Sequence, residues 1–191
     1  MSNKTIGFAI CGSFCTFGKV LARLQTLCDS GFEIIPIMSF NAYSTDTRFG
    51  SAESFAERLE NMTGNKVICT IADAEPIGPK KLLDLLIVAP CTGNTLAKLA
   101  VGIADTPVTL AVKSQLRNAR PVLIGISTND ALGTAAANIG TLMSRKHYYF
   151  IPYRQDDFIN KPASVVADFS QILPAATAAL EGRQIQPMLL Q

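Results

Sequence analysis

Apolar residues fall into short unbroken runs that alternate with segments where they recur every three or four positions. Thr5–Cys11 and Glu33–Met38 read as strands, and between them Val20, Leu21, Leu24, Leu27 and Cys28 share one face of a helix over Gly18–Ser30. Phe55, Leu59 and Met62 place a helix over 51–62, followed by a short strand at Val67–Thr70 and a turn-rich connection, Glu75–Pro79. Leu85–Ala89 is apolar at every position, as in a parallel-sheet strand covered on both faces. Helices follow at 93–102 and 107–118, a strand at Val122–Ser127, a helix at 131–144 and a strand at Tyr148–Pro152. A last helix is predicted from Ala163 to Glu181 in spite of Pro174. This alternation, with right-handed crossovers, predicts an α/β fold: a three-layer, doubly wound parallel sheet forming a single domain over 1–191. No linker, internal repeat or low-complexity segment interrupts it.

Composition narrows the function classes. Hydrophobic residues make up 48% of the chain and charged residues 17%, enough apolar material for a core and too little charge for a disordered chain. Seventeen Lys and Arg against fifteen Asp and Glu leave a net charge of +2, too weak a field to hold a nucleic-acid backbone. The five cysteines, at 11, 15, 28, 69 and 91, lack CxxC spacing, and His147 is the only histidine. Neither a disulfide framework nor a metal site is expected. Lys4 followed by Ile6–Cys15 imitates a signal peptide, but Gly7 and Gly12 interrupt the run and no A-x-A site follows. Apolar runs such as Leu85–Pro90 fall far short of the ~20 residues that span a bilayer, so no transmembrane helix and no membrane contact are expected, and the cysteine usage with the missing export signal makes the expected location cytoplasmic.

In such sheets ligands bind beyond the carboxyl ends of the strands, which directs attention to four loops. Cys11–Gly18 places small and hydroxyl residues at a helix N-terminus, where free N–H groups favour an anion; a plain N-cap by Ser13 or Thr16 is equally compatible. It is not a GxGxxG fingerprint, and no acidic residue closes the second strand at Ile37-Met38-Ser39, which disfavours NAD binding by this chain. Pro90-Cys91-Thr92-Gly93-Asn94-Thr95 offers hydroxyls, an amide and a helix dipole at one point, a neutral cradle for a phosphate or a flavin ring edge; capping by Thr92 or Asn94 is the plainer reading. The same helix end is expected to lower the Cys91 pKa.

Ser39–Gly50 is long for a connection and rich in hydrogen-bonding side chains, as in a binding loop or lid. Its Arg48 can grip a carboxylate or phosphate with two parallel bonds, or form a surface ion pair with Glu53 or Asp46. Asn129-Asp130 reads as an N-cap before Ala131-Leu132-Gly133, with Asp130 alternatively an acid/base group. Lys113 and Arg117, one turn apart, read as a solvated face, and His147, just before Tyr148-Tyr149-Phe150, as structural.

Ala89–Ala100 followed by Gly102-Ile103-Ala104-Asp105 resembles the P-x-S-A-N-T-x-A-K-x-A-x-G-I-A-D signature of the homo-oligomeric flavin-containing Cys decarboxylases and flavin prenyltransferases. Within that superfamily, Ser44–Gly50, Ala74–Lys80 and Ser127–Gly133 resemble the B subunits of dipicolinate synthase, over nearly the whole chain. The resemblance implies a flavodoxin-like, Rossmann-like sandwich, FMN as cofactor, and a homo-oligomer, a trimer or a multiple of one, for which the apolar helix Leu96–Ile103 is the candidate contact. It also implies a partner, the NADP-binding A subunit of dipicolinate synthase. Together the two would make dipicolinate, pyridine-2,6-dicarboxylate, from the lysine-pathway dihydrodipicolinate precursor in the mother cell of a sporulating bacterium.

Carried onto this chain, Gly12 and Ser13 would face the flavin, Ser39 would contact its phosphate, and Thr92, Asn94 and Thr95 would complete the cradle. Asn94 and Asp130 are the candidate catalytic residues, and Arg48 and Asn129 the candidate binders of a small dicarboxylate substrate. The decarboxylases carry a histidine after the second strand and a P-x-M-N-x-x-M-W segment; this chain has neither, and Thr92-Gly93 replaces Ser-Ala. Cysteine decarboxylation is therefore not expected. The competing readings are a binding or assembly subunit without flavin, and a flavin prenyltransferase-like enzyme.

Overall fold

A computed structural model of the chain describes residues 4–191. Strand β1 (Thr5–Ile10) leads through a 3-10 turn, Phe14–Thr16, into helix α1 (Phe17–Asp29), and β2 (Glu33–Met38) follows. The long loop after β2 contains a short helix, α2 (Phe40–Ser44), before α3 (Ala52–Thr63) and the single turn α4 (Ile71–Ala74). Next come β3 (Leu85–Cys91), α5 (Gly93–Val101), α6 (Pro107–Arg117), β4 (Val122–Thr128), α7 (Ala135–Met143) and β5 (Tyr148–Phe150). The chain closes with a hairpin, β6 (Tyr153–Gln155) and β7 (Val165–Ala167), and then α8 (Ile172–Leu180).

Five strands lie parallel in the order β2-β1-β3-β4-β5, in register Ile6↔Ile34, Phe8↔Ile87 and Ile124↔Phe150. Side chains alternate between the two faces of the sheet. Ile6, Phe8 and Ile10 join Leu85 and Ile87 on one face, covered by Val20, Leu24 and Leu27 of α1, Phe55 and Leu59 of α3, and Ala175 and Ala179 of α8. Ala9, Leu86, Val88, Ile124 and Ile126 look the other way, against Leu96, Leu99, Val108, Val112, Ile139 and Leu142. Every residue of β3 is buried, so its unbroken apolar run is the sheet's centre. Gly7 is required by closeness: a Cβ there would sit 2.5 Å from Leu83 Cδ1 and 2.9 Å from Leu86 Cδ1.

Four expectations change. The sheet is not wholly parallel, because β7 runs antiparallel to the last residues of β4 (Ser127↔Val166, Thr128↔Val165) and pairs in turn with β6. The predicted helix 163–181 is therefore a strand, a 3-10 turn (Phe169–Gln171) and a helix that starts only at Ile172. Pro174 falls in the first turn of α8, where no N–H is needed. Val67–Thr70 makes only an isolated bridge, Ile37↔Ile68. The helix predicted over 131–144 begins at Ala135, since residues 129–134 form turns in which Asp130 O accepts from Gly133 N and Ala135 N. Among the described residues no helix is long and apolar enough to cross a membrane.

Candidate functional site

The loops after β1, β3 and β4 converge at the carboxyl end of the sheet on a cavity of about 700 Å³. Its floor holds Gly12, Ser13, Thr92 and Asn94 at the ends of β1 and β3, and it is lined as well by Asn129 and Asp130 from the loop after β4 and by Arg48 from the loop after α2. A second cavity of about 390 Å³ adjoins it, shares Gly12, Phe14, Thr92 and Asn94, and adds Ser39 and Thr95. All the predicted site residues thus face this one compound depression. Lys113 belongs elsewhere, to a small groove of about 230 Å³ beside Leu99 and Tyr148. His147 adopts φ 69° and its carbonyl accepts from Val122 N at 2.8 Å, a structural role between α7 and β5.

The first loop is braced from below. Phe14 and Phe17 rings lie 5.2 Å apart, and Phe17 meets Phe55 edge-on at 4.9 Å, tying the loop to the core. Neither Ser13 nor Thr16 caps a helix with its side chain: Thr16 Oγ1 donates to Ser13 O at 2.7 Å, and Ser13 Oγ lies 2.8 Å from Ser127 Oγ across the sheet. A hydroxyl pair therefore links the ends of β1 and β4, two strands that are not neighbours.

Thr92 occupies the N-cap of α5 with extended backbone, but its side chain makes no capping bond. The first-turn N–H groups of α5 thus keep their donors for something else, and the helix dipole gives that end a partial positive charge. Thr92 Oγ1 instead lies 3.3 Å from Thr95 Oγ1, and Thr95 donates to Cys11 Sγ at 3.3 Å. Asn94 is exposed to the cavity. A helix N-terminus predicts a lowered Cys91 pKa, but Cys91 is wholly buried and points into the core, and burial, reinforced by Cys11, pushes its thiol well up. Burial likewise pushes Cys11 to about 11, against the hydrogen bond from Thr95. Both are inert core thiols.

Asp130 does not cap a helix. Its Oδ1 accepts from Thr128 Oγ1 at 2.5 Å, and these two oxygens stand where a side chain of residue 93 would be: a Cβ on Gly93 would lie 2.8 Å from each. Gly93 therefore lets the carboxylate approach the first turn of α5. The two replacements in the signature, Gly for Ala at 93 and Thr128-Asn129-Asp130 in the loop after β4, are one packing solution.

Arg48 forms no ion pair among the described residues; its guanidinium sits 4.9 Å over the Phe49 ring. Asp46, one of its candidate partners, accepts instead from Ala52 N at 2.8 Å and so fixes the entry to α3. The helix predicted at 163–181 concealed residues that belong to the site: Ser164, Val165 and Val166 line the larger cavity, with Asp156 and Lys161 from the β6–β7 loop. The signal for them was present in Ser164-Val165-Val166-Ala167, a short β-branched run bounded by Pro162 and Asp168.

The chain is 44% identical over 191 residues to the B subunit of dipicolinate synthase from Bacillus subtilis, a match that covers 100% of this chain and 96% of that one. The crystal structure of the dipicolinate synthase B subunit from Bacillus halodurans C superposes with a TM-score of 0.91 at 39% identity, covering 100% of this chain and 97% of that one. The FMN-dependent cysteine decarboxylase SpaF shares the fold, with a TM-score of 0.67 at 21% identity over 95% of this chain and 98% of its own. The sequence model of the Flavoprotein family matches residues 1–156, which hold the loops after β1, β2, β3 and β4 that build the cavity. The chain therefore belongs to the Flavoprotein family.

Proposed function

We propose that this chain is the B subunit of a dipicolinate synthase, holding FMN and a cyclic dicarboxylate in the cavity at the carboxyl end of its sheet. The observation that carries the reading is the meeting, in one cavity, of first-turn amides on α5 that no side chain caps with a guanidinium that has no carboxylate partner among the described residues. Full-length similarity to the B subunits of dipicolinate synthase supplies the substrate class.

The residues fit a flavin. Gly12 and Ser13 offer a close approach to backbone, Thr92, Asn94 and Thr95 offer neutral donors and acceptors, and Ser39, which caps α2 by accepting from Ala42 N, stands beside them for the phosphate. A flavin held there would supply the two-electron acceptor that an oxidation of the ring requires.

Conversion of dihydrodipicolinate to dipicolinate removes a hydride and a proton as the ring becomes aromatic. Arg48 grips one substrate carboxylate with its planar fork, and Asn129 donates to the substrate from the wall opposite. Asp130, fixed by Thr128 and lying beside the α5 terminus, takes the proton. Asn94 orients the reacting ring. The A subunit, as partner, would hold NADP, which can take up the hydride equivalent removed from the ring. The working unit is a cytoplasmic homo-oligomer, a trimer or a multiple, acting in the mother cell of a sporulating bacterium. Within the stretch Leu96–Ile103, Leu96 and Leu99 face the core, so the contact between copies falls to Val101, 70% exposed, and Ile103, 46% exposed.

Reconstitution tests the reading. Dipicolinate formation should require both chains and fall at least about tenfold with Asp130→Asn or Arg48→Ala, the scale of one lost charged interaction. Full activity of the A subunit alone would reject it, and full activity with both substitutions would reduce this chain to an assembly partner.

A further inference from the structure

A dicarboxylate presents two anions, and Arg48 answers one of them. The second wall of the cavity is the β6–β7 loop, and it carries Lys161. That loop is held together by its own bonds. Lys161 N donates to Asp157 O at 2.8 Å, Ser164 N donates to Lys161 O at 2.9 Å, and Asp157 accepts from Asn160 N at 3.0 Å. Gln155 Nε2 donates to Pro162 O at 2.8 Å, and the pairing of Thr128 with Val165 fastens the loop beside Asn129 and Asp130.

The Lys161 ammonium faces Asp156, which also lines the cavity, at 3.5 Å. A committed charge-assisted bond is nearer 2.7–2.9 Å, so this ion pair is loose, and an ammonium has three donors to offer. An exposed pair of this kind adds little stability, and its geometry is easily exchanged for a better one. Resting on the reading of the cavity as a dicarboxylate site, we infer that Lys161 is the second carboxylate anchor, with Asp156 holding the ammonium toward the cavity until a ligand carboxylate takes its place. The cations then approach from separate loops, Arg48 from the segment before α3 and Lys161 from the β6–β7 hairpin, over a floor that is itself neutral. Lys161 is a specificity-determining residue in this arrangement: it distinguishes two carboxylates from one.

Isothermal titration of the full-length chain with pyridine-2,6-dicarboxylate and with pyridine-2-carboxylate tests this. Wild type should prefer the dicarboxylate by about tenfold or more, the scale of one charged hydrogen bond. Lys161→Gln should abolish that preference while leaving monocarboxylate affinity unchanged, and Lys161→Arg should restore it. The double variant Asp156→Asn/Lys161→Gln removes the carboxylate that the single change leaves unpaired, and it should still fail to discriminate. Recovery of discrimination in the double variant would overturn the inference, because Lys161 would then serve only to neutralise Asp156. Equal discrimination by wild type and Lys161→Gln would overturn it and leave the dicarboxylate site standing. If wild type bound neither compound, the dicarboxylate site would fall and this inference with it.

Discussion

The loop after β3 and the loop between β6 and β7 reach the same cavity but are held there by different means. Pro90–Thr95 continues the most buried strand of the sheet, carries no charge, and offers backbone amides and hydroxyls whose positions are set by the core beneath them. Residues 156–164 lie out on an antiparallel hairpin, exposed over most of their length, and bring an ammonium and a carboxylate whose positions are set by local turn bonds. The contrast assigns two kinds of work. The floor determines shape and neutral hydrogen bonding at no cost in buried charge, and the rim, with Arg48 and Lys161, supplies charge where water still screens it. Floor substitutions should therefore act through stability and flavin retention, and rim substitutions through dicarboxylate binding.

Phe17→Ala tests the floor most severely. Phe17 is buried between Phe14 and Phe55 under the first loop, so its truncation should cost about 3–5 kcal/mol in chemical denaturation and loosen ligand retention as well. Gly93→Ala should cost less, about 1–3 kcal/mol, because the added methyl must displace the bonded oxygens of Thr128 and Asp130. The effect should shrink in Gly93→Ala/Asp130→Ala, a non-additivity that denaturation of the four proteins in this cycle would measure. Arg48→Ala belongs to the rim: titration should show about tenfold weaker dicarboxylate binding with an unchanged melting temperature. A fall in melting temperature comparable with that of Gly93→Ala would erase the distinction.

The smallest effect lies far from both regions, at the amino end of β3. Burial pushes the Asp84 carboxyl up, but the Thr5 amide and the Lys4 and Arg120 charges outweigh it and hold the carboxyl below its ordinary range. A depressed carboxyl stabilises the fold above its unfolded pKa, and that contribution is lost as the pH falls through the folded value. The stability gap between wild type and Asp84→Asn should be full near neutrality and close between about pH 5 and about pH 2. Cavity ligands should bind both proteins equally at neutral pH.

The same contrast explains what the sequence disclosed. Strand β3 and its loop announce themselves because burial on both faces demands an unbroken apolar run and a sharp exit; the strand runs through Pro90 to Cys91, and Thr92 and Gly93 supply the exit. The framework from β1 to α6 follows from the unbroken apolar runs and period-3.6 patterns that its two cores require. The hairpin left weaker marks. β6 and β7 are three residues each, too short for an alternation to register, and the alanine-rich stretch of α8 draws a helical reading backward across Val165 and Val166. Lys161 was therefore hidden just before a helix that does not exist there, and the contact of Thr128 and Asp130 with Gly93 is a tertiary closeness that no local pattern encodes.

The flavin chemistry proposed for the cavity depends on its neutral floor, Gly12-Ser13 with Thr92, Asn94 and Thr95, being a flavin cradle. The visible absorption spectrum of the purified chain, taken after FMN is added and the excess removed by gel filtration, tests this. The protein should be yellow, with a flavin band altered from that of free FMN, and Gly93→Ala should lose that band while Arg48→Ala keeps it. A colourless wild-type protein would contradict the cradle and place the redox chemistry on the partner chain.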